Sequence, residues 1–66
     1  MVRKGYSSRE IIGILQDAGW YLANVKGDHH QFKHPKRKGK VTVRHPVKDL
    51  STPEVKSIEA QSGLKF

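Results

Sequence analysis

The sequence predicts an α+β fold of order α-β-β-β-α, a three-stranded antiparallel sheet with two helices on one face. Three features point to it. A capped segment with apolar residues at helical spacing opens the chain, a second capped segment closes it, and turn residues cut the middle into three β-rich runs. A chain of 66 residues makes a single domain, spanning 1–66 with a core over about 7–64. A domain this small buries only about 60% of the surface its unfolded chain exposes. It has no cysteine, so disulfides and thiolate metal sites cannot compensate.

The elements follow in order. Ser7 can cap a helix, and Glu10 three residues on completes a capping box. Ile11, Ile14, Leu15 and Ala18 recur at helical spacing, and Gly19 stands where a helix stop belongs. Gly13 inside this helix costs about 1 kcal/mol relative to alanine, a cost that close approach of another backbone would explain. Trp20–Val25 is aromatic and β-branched enough for a first strand. Lys26-Gly27-Asp28 is a turn, His29–His34 the second strand, and Pro35–Gly39 a basic hairpin loop. Lys40–Arg44, with alternating Val41 and Val43, is the third strand, which His45-Pro46 breaks. Thr52 can cap the second helix, Pro53 suits its first position and Glu54 its first turn. Val55 and Ile58 supply its apolar stripe, and Gly63 is its stop. Short connections make the sheet a meander. One small sheet buries one side only, leaving the other free to meet a ligand.

Thirteen Lys and Arg stand against six Asp and Glu, a net charge of +7. The charge clusters in Lys36-Arg37-Lys38 and its neighbours, which predicts nucleic acid, an anionic membrane or an acidic protein as partner. Three of the four histidines lie just before this run, in Gly27-Asp28-His29-His30-Gln31-Phe32-Lys33-His34-Pro35. Strand alternation sorts them. Phe32, the one large apolar residue of its strand, belongs in the core, and His30 and His34 share its side. His29, Gln31 and Lys33 then face outward, which makes His29 the free imidazole and His30 and His34 packing or solvated residues. A slip of one residue in register would reverse this assignment. Trp20 and Tyr21 could stack on bases, but aromatic residues of so small a domain more often fill its core.

The ordered pieces are Ala18-Gly19-Trp20 after the capped helix, the Gly27–Pro35 segment, Val41-Thr42-Val43 with His45-Pro46, and Ser57–Leu64. Together, from about Ser7 to Leu64, they resemble the HicA toxins of bacterial toxin–antitoxin pairs, also called the YcfA-like family. The resemblance implies a double-stranded-RNA-binding-domain-like fold and an mRNA interferase that cleaves RNA and arrests translation. It also implies a HicB-like antitoxin that neutralises the toxin in a heteromeric complex, and a catalytic histidine at the position of His29. The family usually carries Ser where this chain has Asp28, whose charge could orient His29 or repel phosphate. It often carries Pro where this chain has Arg44.

The residues can support that chemistry. Metal-independent RNA cleavage uses the ribose 2′-hydroxyl as nucleophile on the adjacent phosphate. An imidazole, with an ordinary pKa near about 6.5, can take its proton, and such catalysis contributes roughly 10²–10⁴-fold. Cations must offset the charge that develops on the phosphate. The expectation is His29 as general base or acid, with Lys33, Lys36, Arg37, Lys38, Lys40 and Arg44 contacting RNA, and no cofactor or metal. His45 or a water could serve as the second proton-transfer group, and the antitoxin should cover His29 and the basic hairpin. A histidine metal site competes poorly, because adjacent His29 and His30 diverge along a strand. A non-catalytic double-stranded-RNA-binding module fits the charge equally well and is separated from the enzyme only by what His29 does. No apolar run approaches the roughly 20 residues that span a bilayer. The charged start Met1–Tyr6 leads into no signal-type apolar stretch. A cytoplasmic protein without membrane association is expected.

Overall fold

The computed structural model describes residues 5–66; the charged start at residues 1–4 lies outside them. The order is α1 (Ser8–Asp17), β1 (Tyr21–Lys26), β2 (His29–His34), β3 (Arg37–Arg44) and α2 (Thr52–Ser62). The sheet is antiparallel in the order β1-β2-β3. Ile11 and Leu15 of α1, Ile58 of α2, Phe32 of β2 and Val41 and Val43 of β3 are buried in one cluster with Trp20 and Leu50. Phe32, Val41 and Val43 lie on one face of the sheet, so both helices pack on that face, as the patterning predicts.

Both helices start on a capping box. Ser7 accepts from the Glu10 amide while Glu10 accepts from the Ser7 amide, each at 3.1 Å. At α2 the cap is Ser51, not Thr52: its hydroxyl accepts from the Glu54 amide and the Glu54 carboxylate takes the Ser51 amide. The Ser51-to-Glu54 spacing satisfies the box, and Thr52 becomes the first helical residue.

The end of α1 fixes where the sheet begins. The Gly19 amide bonds the Gln16 carbonyl at 3.0 Å and the Trp20 amide bonds the Leu15 carbonyl at 2.9 Å, the pair of bonds that closes a Schellman motif. Gly19 adopts φ +96°, and a Cβ there would lie 2.8 Å from His34 Nε2, so both backbone and neighbour demand glycine. Trp20, predicted to open β1, instead closes this motif and is buried at 3% exposure; β1 starts at Tyr21.

Two other expectations change. The loop predicted over Pro35–Gly39 is shorter, because the turn is confined to Pro35 and Lys36 and β3 already begins at Arg37. The register is irregular between Phe32 and His34, where β3 carries extra residues, so Lys38, Gly39 and Lys40 bulge without Cα partners on β2. The helices also cover less of the sheet than expected. Every residue of β1 is exposed, including Tyr21, Leu22 and Val25, because α1 and α2 pack over β3 and β2. The β3 edge is shielded: Gln61 of α2 accepts the Thr42 amide at 3.1 Å. The β1 edge has no such cover among the described residues, an arrangement that leaves one side of the sheet able to pair.

No backbone approaches Gly13, where an added Cβ would meet nothing within 4 Å. The close approach expected there is absent, and the glycine only weakens the helix. Gly13→Ala should therefore stabilise the domain by about 1 kcal/mol, raising the thermal midpoint by roughly 4–8 °C by circular dichroism. An unchanged or lowered midpoint would show that the position is constrained after all.

Candidate functional site

The burial of β2 alternates about Phe32, which is 1% exposed. The two histidines on its side are structural. His34 Nε2 donates to the Ala18 carbonyl at 3.0 Å, and its Nδ1 accepts the Lys36 amide at 3.0 Å. These two bonds select the neutral ring with its proton on Nε2. The ring thus satisfies a free carbonyl at the end of α1 and packs edge-on to Trp20 at 5.3 Å. His30 packs edge-on to His45 at 5.0 Å, with its Nδ1 buried and without a hydrogen-bond partner among the described residues. His45 in turn lies 2.6 Å from the hydroxyl of Ser8, itself 1% exposed, which also bonds both backbone groups of Val47. These contacts hold His45 against α1, and it does not share the sheet face of His29.

His29 alone of the four projects freely. Its side chain is 58% exposed, and its Nε2 lies 3.5 Å from the Asp28 carboxylate. Register places two cations beside it: Lys26 of β1 and Arg44 of β3 are its Cα partners. Partners across an antiparallel ladder point to the same face, so Lys26, His29 and Arg44 form one row on the face away from the helices. The next row is Asn24, Gln31 and Thr42. Beyond it stand Tyr21 and its partner Lys33, with Lys40 reaching Gln31 Oε1 at 3.5 Å.

The six basic residues expected to meet RNA are distributed unevenly. Lys33 and Lys40 stand on the open face, Lys36 is in the turn, and Lys38 is exposed on β3. The Arg37 guanidinium instead lies against Gly63 at the end of α2, where the helix carbonyls favour a cation. Arg44 is engaged by α2 as well. Its Nε donates to Glu54 Oε2 at 2.9 Å and its second terminal nitrogen to Oε1 at 3.0 Å, a two-point ion pair. Lys26, which the sequence places in the turn, is instead the last residue of β1. The signal was available, since a two-residue Gly27-Asp28 turn makes Lys26 and His29 direct partners. No three His, Cys, Asp or Glu side chains among the described residues group so as to hold a metal ion.

A basic α+β domain with one sheet face under two helices and the other bearing an exposed imidazole between Lys26 and Arg44 is the class of protein that fold and site define. The family model described as "HicA toxin of bacterial toxin-antitoxin" matches residues 8–64, and the chain belongs to the HicA toxin family. It is the toxin component of a toxin–antitoxin pair. No individual curated protein matches the chain. Among the described residues no helix is long and apolar enough to cross a membrane.

The Arg44–Glu54 pair has a measurable signature. Hydrogen bonds from Arg44, then from the Ser51 amide and hydroxyl, hold the Glu54 carboxyl down at about 2 rather than its usual 4.5. Between those values the unfolded chain binds a proton that the folded chain does not, so folding gains stability as pH rises through this window. The contribution is complete above about 4.5 and lost as pH falls through about 2. Glu54→Gln preserves the capping box, which accepts either residue, but removes the charge. Thermal melts of the variant should show a shallower dependence on pH across this window and a lower midpoint at neutral pH. Parallel curves for parent and variant would contradict the assignment.

Proposed function

We propose that this toxin is an mRNA interferase that cleaves RNA on the open face of its sheet, with His29 as the proton-transfer group. One observation carries the reading. His29 is the only histidine whose ring is not committed to a helix end, a serine or another ring, and it stands exposed between Lys26 and Arg44. The family relationship supports RNA as the substrate.

In this reaction the His29 imidazole takes the proton of a ribose 2′-hydroxyl. The freed oxygen attacks the adjacent phosphorus, the bond from phosphorus to the 5′-oxygen of the next nucleotide breaks, and that oxygen receives a proton from solvent or from the imidazolium. No metal or cofactor is needed for this balance. Lys26 is the nearest cation free to offset charge on the phosphate, while Lys33, Lys36, Lys38 and Lys40 hold neighbouring phosphates. Arg44 contributes field more than contact, since its guanidinium is paired with Glu54 of α2, while the Arg37 guanidinium lies against Gly63 at the end of that helix. Asp28, with its carboxylate 3.5 Å from His29 Nε2, can orient the imidazole but opposes approach of phosphate.

A HicB-like antitoxin, acidic where it meets this face, would inhibit by covering His29 and the β2–β3 turn in a heteromeric complex. The site needs no membrane, and the toxin acts on mRNA in the cytoplasm. A non-catalytic RNA-binding module would use the same cations but would not depend on His29.

His29→Ala should retain the fold, because the side chain is exposed. It should lower the rate of RNA cleavage by about 10²–10⁴-fold and abolish growth arrest on induced expression. Cleavage and toxicity equal to the parent would remove His29 from the mechanism; binding without cleavage by the parent would favour the non-catalytic module.

A further inference from the structure

We propose that Tyr21 is a stacking platform for a base of single-stranded RNA, forming a nucleotide subsite at the end of the open face away from His29. This rests on the reading of the chain as an RNA-cleaving toxin and adds to it a place where the substrate is gripped. Three observations converge on Tyr21. Tyr21 is 51% exposed, whereas Trp20 and Phe32 are exposed by only 3% and 1%. It is the Cα partner of Lys33, so the two side chains share the open face. It also borders an open concavity at the β2–β3 turn end of the sheet, where Lys33 and Lys40 of the open face meet His34, Arg37 and Gly39.

An aromatic face and several cations around one concavity match the two halves of a nucleotide. The base stacks on the ring, which tolerates any base, and the lysines meet the phosphates. His34 adds a neutral wall rather than a charge, since both of its nitrogens are occupied. An acidic protein segment could use the lysines but would gain little from the exposed ring beside them. Lys33 stands four residues from His29 along β2, which places the subsite about 13 Å from the imidazole. A strand gripped at Tyr21 and running along β2 therefore passes the Asn24, Gln31 and Thr42 row before reaching His29. Those amides and the hydroxyl can meet sugar and base edges. The subsite would thus set which phosphate arrives at His29.

The test uses a short single-stranded oligonucleotide with 2′-O-methyl sugars, which cannot be cleaved, together with cleavage kinetics on the matching RNA. Tyr21→Ala should weaken oligonucleotide binding about 10- to 100-fold and act on KM more than on kcat. Its binding should keep the parent's dependence on salt. Tyr21→Phe, which keeps the ring, should recover most of the affinity. Lys33→Ala should weaken binding and reduce the slope of log affinity against log salt by about 0.7. Unchanged binding by Tyr21→Ala overturns the subsite, and so does a variant that loses affinity only for the antitoxin. The two readings fail separately. Cleavage with an unaltered KM in Tyr21→Ala removes the subsite and leaves the enzyme, whereas ring-dependent binding by a parent that cannot cleave keeps the subsite and removes the enzyme.

Discussion

Burial of Phe32 decides which way the rest of β2 points. A small domain has few large side chains with which to build a core, and β2 contributes one. Turning its ring toward the helices removes apolar surface worth roughly 1.5–3 kcal/mol from water. Strand geometry then leaves no choice for its neighbours. His30 and His34 must turn inward, where each finds a ring to pack against, and His29, Gln31 and Lys33 must turn outward. The imidazole that is free for chemistry is thus selected by a residue three positions away that takes no part in it.

The same economy shapes the electrostatics. The chain carries a net +7, yet Glu54 of α2 pairs with Arg44 and the Arg37 guanidinium lies against Gly63 at the end of that helix. Lysines are left to face outward around His29 and Tyr21. Arginine makes planar, two-point bonds well suited to fixing one element to another, and the Arg44–Glu54 pair does so at the start of α2 while Gln61 binds the β3 edge near its end. The open face thus carries lysines, monodentate cations suited to a phosphate chain of any sequence. The other edge is left bare: β1 exposes Leu22 and Val25 on the helix side, out of reach of two short helices.

Much of this was legible in the residues. Ser7 with Glu10, the alternation about Phe32 and the glycine stops at Gly19 and Gly63 each encode a local hydrogen-bonding or steric requirement that needs no distant partner. The errors fall where two local signals compete or where a contact is long-range. Thr52-Pro53 masked the box spacing from Ser51 to Glu54. Pro35 and Gly39 suggested a loop, but Arg37 pairs with His34 straight after a two-residue turn, and the irregularity follows within β3. The exposure of Tyr21 depends on how far two helices reach, and the capture of Arg44 by Glu54 joins residues ten apart through a connector whose path no periodicity records. The candidate imidazole could therefore be found from the strand pattern alone, whereas the cations that serve it could be sorted only once α2 was in place.

The central claim is that the face of the sheet away from the helices is the working surface. Mapping backbone amide shifts by NMR during titration with an uncleavable single-stranded RNA tests it directly. The largest changes should fall on Lys26, His29, Gln31, Lys33 and Lys40, with the exposed sides of α1 and α2 little affected. Changes concentrated on the helices, with β2 silent, would contradict it.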